Sequence, residues 1–279
     1  MEQGEVTREI TKEYPDGMEI TYYQNGKEIA KETLDEEGNR VKIVGKIPDG
    51  LVKQYYENGQ LKEEVNYKDG EKNGIAKLYY ENGQLKGEIN FKDEQNSIAK
   101  FYYENGNLKR EMNFKDDKQN GIDKIYYRKN GKLKREANYK DGKLNGITKI
   151  YYENGQLSCE ANYKDGEKNG IVKVYYENGG LEYEGTYKDD QLNGITKYYY
   201  KNGQLKEEMN FKDGKLNGLV KIYYENGKFV LEANYKDGEK NGIDKIYDKD
   251  GTLLEKRIWK EELEKAFEIL DEGEEKILR

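Results

Sequence analysis

Tyr79-Tyr80-Glu81-Asn82-Gly83-Gln84-Leu85 decides the fold. Asn-Gly between two runs rich in β-formers is the strongest short-range hairpin signal. A two-residue type I′ turn is expected there, because Asn and Gly both tolerate positive φ. The motif recurs. Tyr-Tyr begins at Tyr55, Tyr79, Tyr102, Tyr126, Tyr151, Tyr175, Tyr199 and Tyr223, a period of about 24 residues. A worn copy, Tyr22-Tyr23-Gln24-Asn25-Gly26, precedes the series, and Tyr247-Asp248-Lys249-Asp250-Gly251 follows it. Between hairpins, Lys-Asp-Gly-x-x-Asn-Gly (Lys68 to Gly74) reads as a looser turn. The expected fold is all-β: an elongated single-sheet array of tandem β-hairpins. With strands about 4.8 Å apart, about ten hairpins would extend on the order of 90–100 Å before twist.

The Asn-Gly turn also sets a register. It pairs Tyr80 with Leu85, Tyr79 with Lys86, Leu78 with Gly87 and Lys77 with Glu88. The same rule sets Lys53 opposite Glu64, Lys100 opposite Glu111, Lys149 opposite Glu160 and Lys173 opposite Glu184. Lys197 meets Glu208 and Lys221 meets Glu232, whereas the last copy puts Lys256 opposite Lys245. Tyr126-Tyr127-Arg128-Lys129-Asn130-Gly131 carries one extra residue, so Lys124 and Glu136 face each other only across a longer loop or a bulge. Strand alternation then places Ala76, Leu78, Tyr80, Leu85, Ile89 and Phe91 on a buried face. Ile75, Lys77, Tyr79, Lys86, Glu88 and Asn90 fall on a solvated one.

Composition supports a thin sheet over a globule. Charged residues make up 38% and apolar ones 34%, too few for a thick core, while 27 tyrosines and two prolines are unlike a disordered chain. Both prolines, Pro15 and Pro48, precede the regular array, where they interrupt no central strand. Residues 1–50 read as an N-terminal cap with degenerate hairpins and 51–258 as the repeat array. Residues 259–279 read as a C-terminal amphipathic capping helix, from the helical spacing of Trp259, Leu263, Ala266, Phe267 and Leu270.

The formal charge of −7 and the lack of an isolated basic block argue against nucleic acid as a partner. No apolar run is long enough for a membrane span. Met1-Glu2-Gln3-Gly4-Glu5 shows no leader and Cys159 is the one cysteine, so a cytoplasmic location is expected unless a leader was trimmed away. Histidine is absent, which removes the commonest general base and metal ligand. The Asp-Gly-x-x-Asn-Gly loops lack the ligand spacing of an EF-hand. Each candidate catalytic glutamate belongs to a repeated Lys–Glu pair. The chain is expected not to be an enzyme, and to need no metal or cofactor.

Function is expected where the repeats disagree. Glu63, Gly87, Arg110, Arg135, Cys159, Tyr183, Glu207 and Leu231 occupy one column, on the face assigned as buried. Charged members do not belong in a sealed core, so that face is expected to be an open groove lined by tyrosines. The candidate partner-binding residues are Arg110, Arg135, Tyr183, Tyr80, Tyr103, Tyr127, Tyr152 and Tyr176.

Tyr183-Glu184-Gly185-Thr186-Tyr187 through Asn193-Gly194 resembles the MORN repeat, with its Tyr-x-Gly, aromatic and Gly-ending turn. The other units, such as Tyr151-Tyr152-Glu153-Asn154-Gly155-Gln156-Leu157 with Asn162-Tyr163-Lys164-Asp165-Gly166, resemble its bacterial variant, over nearly all of residues 51–251. Ser97 replaces the loop glycine of one unit. The resemblance implies a MORN-like solenoid and a non-catalytic protein-binding module, an antitoxin or immunity partner of a bacterial toxin. A cell-surface carbohydrate or cell-wall binder and a structural scaffold are the rival readings. The expected partner is another protein, with the chain a monomer or weak homodimer.

Overall fold

The turns alternate between two chemistries, and the computed structural model reverses the expected assignment. Across Asn82-Gly83 only Gly83 has positive φ. The Tyr80 amide donates to the Gln84 carbonyl at 2.8 Å and the Gly83 amide to the Tyr80 carbonyl at 2.9 Å. This is a three-residue Glu-Asn-Gly loop, a type I turn closed by a left-handed glycine. The Asn82 side chain accepts the Gln84 amide at 3.0 Å, so it needs no positive φ of its own. The two-residue I′ turn is instead the Asp-Gly between hairpins: Asp69 has φ 53°, Gly70 φ 81°, and Lys68 pairs with Glu71. The Asn-Gly that follows is a bulge. Gly74 (φ 76°) absorbs extra residues as the register moves from Tyr67–Lys72 to Val65–Ala76.

The expected pairing holds up to this loop and changes beside it. Lys77 faces Glu88 and Leu78 faces Gly87, but a bulge then sets Tyr79, not Tyr80, opposite Leu85. Lys–Glu pairing recurs in seven hairpins, from Lys53–Glu64 to Lys221–Glu232, and Lys245 does face Lys256. The long loop carries its extra residue: the Tyr127 amide donates to the Lys132 carbonyl at 2.8 Å.

Residues 4–93, 96–116 and 118–259 are described. They form β-strands with no helix among them. The expected helix over 259–279 lies outside the described residues, apart from Trp259, whose amide donates to the Gly242 carbonyl at 2.8 Å. The chain divides into two units, Met1–Leu133 with Tyr139–Gly142 and Lys134–Asn138 with Lys143–Arg279.

The first unit begins with β1 (Val6–Tyr14), β2 (Gly17–Gln24), β3 (Lys27–Asp35) and β4 (Arg40–Gly45), each antiparallel to the next. β5 (Gly50–Tyr55), β6 (Leu61–Lys68), β7 (Glu71–Tyr79) and β8 (Leu85–Asp93) follow as repeat hairpins. β1 joins β5 in parallel, through Val6–Val52 and Thr7–Lys53. Parallel neighbours need a crossover, and the chain of β2 to β4 with buried Ile47 supplies it. Val6, Ile20, Tyr22, Ala30, Ile47, Val52, Val65, Tyr67 and Ala76 form the core of this unit.

In the second unit the repeat hairpins run from Lys143–Tyr151 to Leu253–Ile258, antiparallel throughout. Its core centres on Ala161, Val172 and Tyr183, with Cys159, Tyr163, Val174, Tyr187 and Tyr198 against them.

Candidate functional site

Within each unit the interior face resolves into rows that cross the strands. The deepest row is made mostly of small side chains: Val52, Val65, Ala76 and Ala99 in the first unit, with the longer Met112, and Ala161, Val172, Gly185 and Thr196 in the second. Short side chains leave room for larger neighbours to fold over them, which is how a single-layer sheet buries anything. One flanking row is aromatic, as at Tyr67 and Phe91, or Tyr163 and Tyr187. The row on the other side holds the residues where the repeats disagree.

Within each unit that row is continuous in register. Glu63 lies between Gln54 and Leu78, and Gly87 between Leu78 and Phe101. Arg110 lies between Phe101 and Ile125, Cys159 between Ile150 and Val174, and Tyr183 between Val174 and Tyr198. Glu207 and Leu231 continue it. One variable side chain thus alternates with one apolar or aromatic side chain in most of these steps. Arg135, Glu63, Arg110, Cys159, Glu207 and Leu231 are half-buried, as a partly open face requires.

The candidate residues have their own partners. Arg110 Nε donates to Asp123 Oδ1 at 2.7 Å, and Asp123 is fully buried in the small row. The Tyr183 hydroxyl lies 2.9 Å from that of Tyr187, and its ring is 4.9 Å from the Tyr198 ring. Burial, then the bond to Tyr187, pushes the Tyr183 phenol above its ordinary value. A Cβ on Gly185 would collide with the Tyr183 hydroxyl, which gives the Tyr-x-Gly motif its steric reason. Burial also pushes the Cys159 thiol up, the wrong direction for a nucleophile.

The second tyrosine of each pair ties one repeat to the next. The hydroxyls of Tyr80, Tyr103, Tyr152 and Tyr176 donate to the carbonyls of Tyr102, Tyr126, Tyr175 and Tyr199 at 2.8, 3.0, 2.6 and 2.7 Å. Tyr56, Tyr200 and Tyr224 do the same. Tyr127 closes the long loop through its backbone. Tyr176→Phe keeps the ring and removes the tie, and is expected to lower stability by about 1 kcal/mol in urea denaturation. Combining it with Tyr152→Phe should roughly add, because the two ties share no partner.

The first tyrosine works on the other face. Tyr79 and Tyr102 donate to Glu64 and Glu88 at 2.8 and 3.2 Å. Glu208 takes both Lys197 and Lys221 at 3.5 Å, so the ladder links hairpins as well as strands. These exposed pairs contribute at most about 1 kcal/mol each.

A cavity of about 950 Å³ lies in the first unit, at the junction of cap and repeats. Its wall carries a polar chain that sequence reading missed. Arg8 binds Glu63 and donates to the Tyr67 hydroxyl at 3.1 Å. The Tyr67 hydroxyl is 3.2 Å from that of Tyr22, which donates to Glu32. Arg40 then joins Glu32 at 2.9 Å to Glu71 at 2.8 Å. Burial opposes a charge on Arg8, but Glu63 together with Tyr67 and Tyr22 holds the guanidinium above its ordinary pKa. Burial first, then Tyr67 and Glu32, raises the Tyr22 phenol. No local pattern marks this network, since its members come from β1, β2, β3, β4, β6 and β7. Asp123 did leave a trace: it stands in a column of Ala, Val and Thr.

Among the described residues no group of three or more potential metal ligands gathers, and no helix is long and apolar enough to cross a membrane. No curated protein matches the chain. A family model described as MORN repeat variant matches residues 48–69, 72–93, 95–116, 123–141, 144–165, 168–189, 192–213 and 216–237. Each match takes in the strand before an Asp-Gly or equivalent turn, or the strands of one hairpin, and together they span more than half of the chain. Repeats of this family are non-catalytic modules that bind proteins or membranes. The chain belongs to the MORN repeat variant family.

Proposed function

We propose that this chain is a protein-binding module that acts by occluding its partner in a stoichiometric complex. The row of disagreeing residues carries the reading. The scaffold positions hardly change from repeat to repeat. Yet in each unit one column varies: Glu63 and Arg110 in the first, and Cys159, Tyr183, Glu207 and Leu231 in the second, all half-buried except the buried Tyr183. Positions that the scaffold constrains, such as the Asn-Gly turns and the Lys–Glu pairs, are filled uniformly, so this column is free to serve a partner. Arg and Tyr in it are the residue types that dominate interface energetics, and tyrosine adds contact area at low entropic cost. The resemblance to bacterial antitoxin and immunity proteins favours a toxin as the partner.

The test is co-purification from the native host, then titration of the identified partner against variants. Arg135→Ala with Glu207→Lys should weaken binding by about tenfold or more, equal to about 1.4 kcal/mol. Arg110→Ala and Tyr183→Ala should add to this, with thermal unfolding as the control for their contacts to Asp123 and Tyr187. Unchanged affinity across the set would sink the reading. So would binding to a glycan array with no protein partner.

A further inference from the structure

The cavity of the first unit is lined by four cationic side chains, Arg8, Arg40, Lys62 and Lys72, and by three carboxylates, Glu32, Glu63 and Glu71. Arg8 is matched by Glu63, and Arg40 by Glu32 and Glu71. Lys62 and Lys72 also line it, and neither has an ion-pair partner among the described residues. Lys72 Nζ lies 6.0 Å from the Phe91 ring centroid and Lys62 Nζ 5.6 Å from that of Tyr56. Two unmatched ammonium groups in one concavity are notable in a chain of formal charge −7. The remaining lining is apolar, with Ile10, Met18, Ile20, Leu34, Phe91 and Phe114.

We propose that this cavity grips a protein segment in which an acidic side chain stands beside a large apolar one. The site rests on the protein-binding reading above and adds where, and by what chemistry, a partner is held. A volume of about 950 Å³ is several side chains' worth of space. It is at the upper end of the roughly 300–1,000 Å³ typical of pockets that enclose small ligands. A carboxylate at Lys72 makes a charge-assisted hydrogen bond to an ammonium that no carboxylate of the wall pairs with. The neighbouring apolar side chain buries against Phe91 and Leu34. The Arg8–Glu63 and Tyr22–Glu32 bonds fix the wall before the segment arrives, so little ordering is lost on binding.

Fluorescent peptides of three compositions test this on the full chain: Glu with Leu and Phe, Lys with Leu and Phe, and Ser with Leu and Phe. Anisotropy should show that the acidic set binds, and that added salt weakens it. Lys72→Glu should reduce affinity by about tenfold or more, Lys72→Gln by less. Thermal unfolding of both variants separates lost binding from lost fold, since Lys72 faces Glu63 and Glu32, and Lys72→Gln keeps the site testable without a new like charge. Absence of binding by the acidic set overturns the proposal. Equal binding of the basic or neutral set does so too, as does an affinity indifferent to Lys72→Glu. Binding of decanoate without binding of acidic peptides assigns the cavity to a small anion and also overturns it. Glu63 belongs to both this wall and the variable row, so the two readings are separated by Arg135→Ala with Glu207→Lys, which lies outside the wall and should leave peptide binding unchanged.

Discussion

Replacing Arg8 by Met is expected to lower the stability of the first unit by about 3–5 kcal/mol, the cost of breaking a desolvated ion pair from one side. The Arg8 side chain is 9% exposed and that of Glu63 17%. Removing the guanidinium leaves the Glu63 carboxylate half-sealed without its cation and takes a donor from the Tyr67 hydroxyl. The effect should concentrate at the cap, because β1 meets β5 through only two register pairs. Beyond them, Arg8 bridges to β6, and Arg40 to Glu71 and Glu5 to Lys53 and Tyr55 are further polar links. Native-state hydrogen exchange should show β1 to β4 losing protection before β6 and β7. The double variant Arg8→Met with Glu63→Leu should recover most of the loss, since an apolar pair of similar volume needs no desolvation. A single variant within about 1 kcal/mol of the parent would mean that the pair is solvated after all.

Alkaline pH should unfold the array cooperatively. The phenols of Tyr22, Tyr67, Tyr183 and Tyr198 are raised above their ordinary value, in each case chiefly by burial. Burial, and then the bond to Glu64, lifts Tyr79 to about 12. An unfolded phenol ionises near about 10. Above that pH the unfolded chain sheds protons that the folded chain keeps, so the unfolded state gains. The stability from these phenols is complete below about 10 and is lost as pH climbs through the folded values, about 12 for Tyr79. Tyrosinate absorbance should therefore rise in two steps. Exposed phenols titrate first, and a later cooperative step coincides with loss of the β-sheet circular dichroism signal. A single titration near about 10 with the sheet intact would contradict the burial of these rings.

Much of this fold was legible in the sequence because its information is local. Tyr-Tyr-Glu-Asn-Gly repeats at a fixed period, so the hairpins and their count follow from spacing. Lys77 faces Glu88 in the structure as turn counting requires. Alternation put Ala76 and Phe91 on one face and Lys77 and Glu88 on the other, and Ala76 and Lys77 do differ in burial. The turn types were not legible, because Asn-Gly and Asp-Gly carry the same local signal. What separates them is remote. The three-residue loop accompanies a Tyr80 phenol that bonds the Tyr102 carbonyl in the next repeat, a partner that no window around Asn82 contains.

The candidate site divides in the same way. The variable column could be found by comparing units, and the same comparison marks Asp123 in the neighbouring small row. The side chains Tyr80, Tyr103, Tyr152 and Tyr176 looked available for a partner in sequence, yet their hydroxyls are committed to neighbouring repeats. The cavity had no sequence signature, since Arg8, Glu32 and Glu63 meet only after β1 crosses back to β5. By itself, then, the sequence determined the repeat, the hairpins and the Lys–Glu register, because each depends on residues within one hairpin of each other. Tertiary structure alone decided the turn geometry, the tyrosine ties and the cap cavity. Each of these depends on what the next repeat, or a strand some 50 residues away (Arg8 to Glu63), brings alongside.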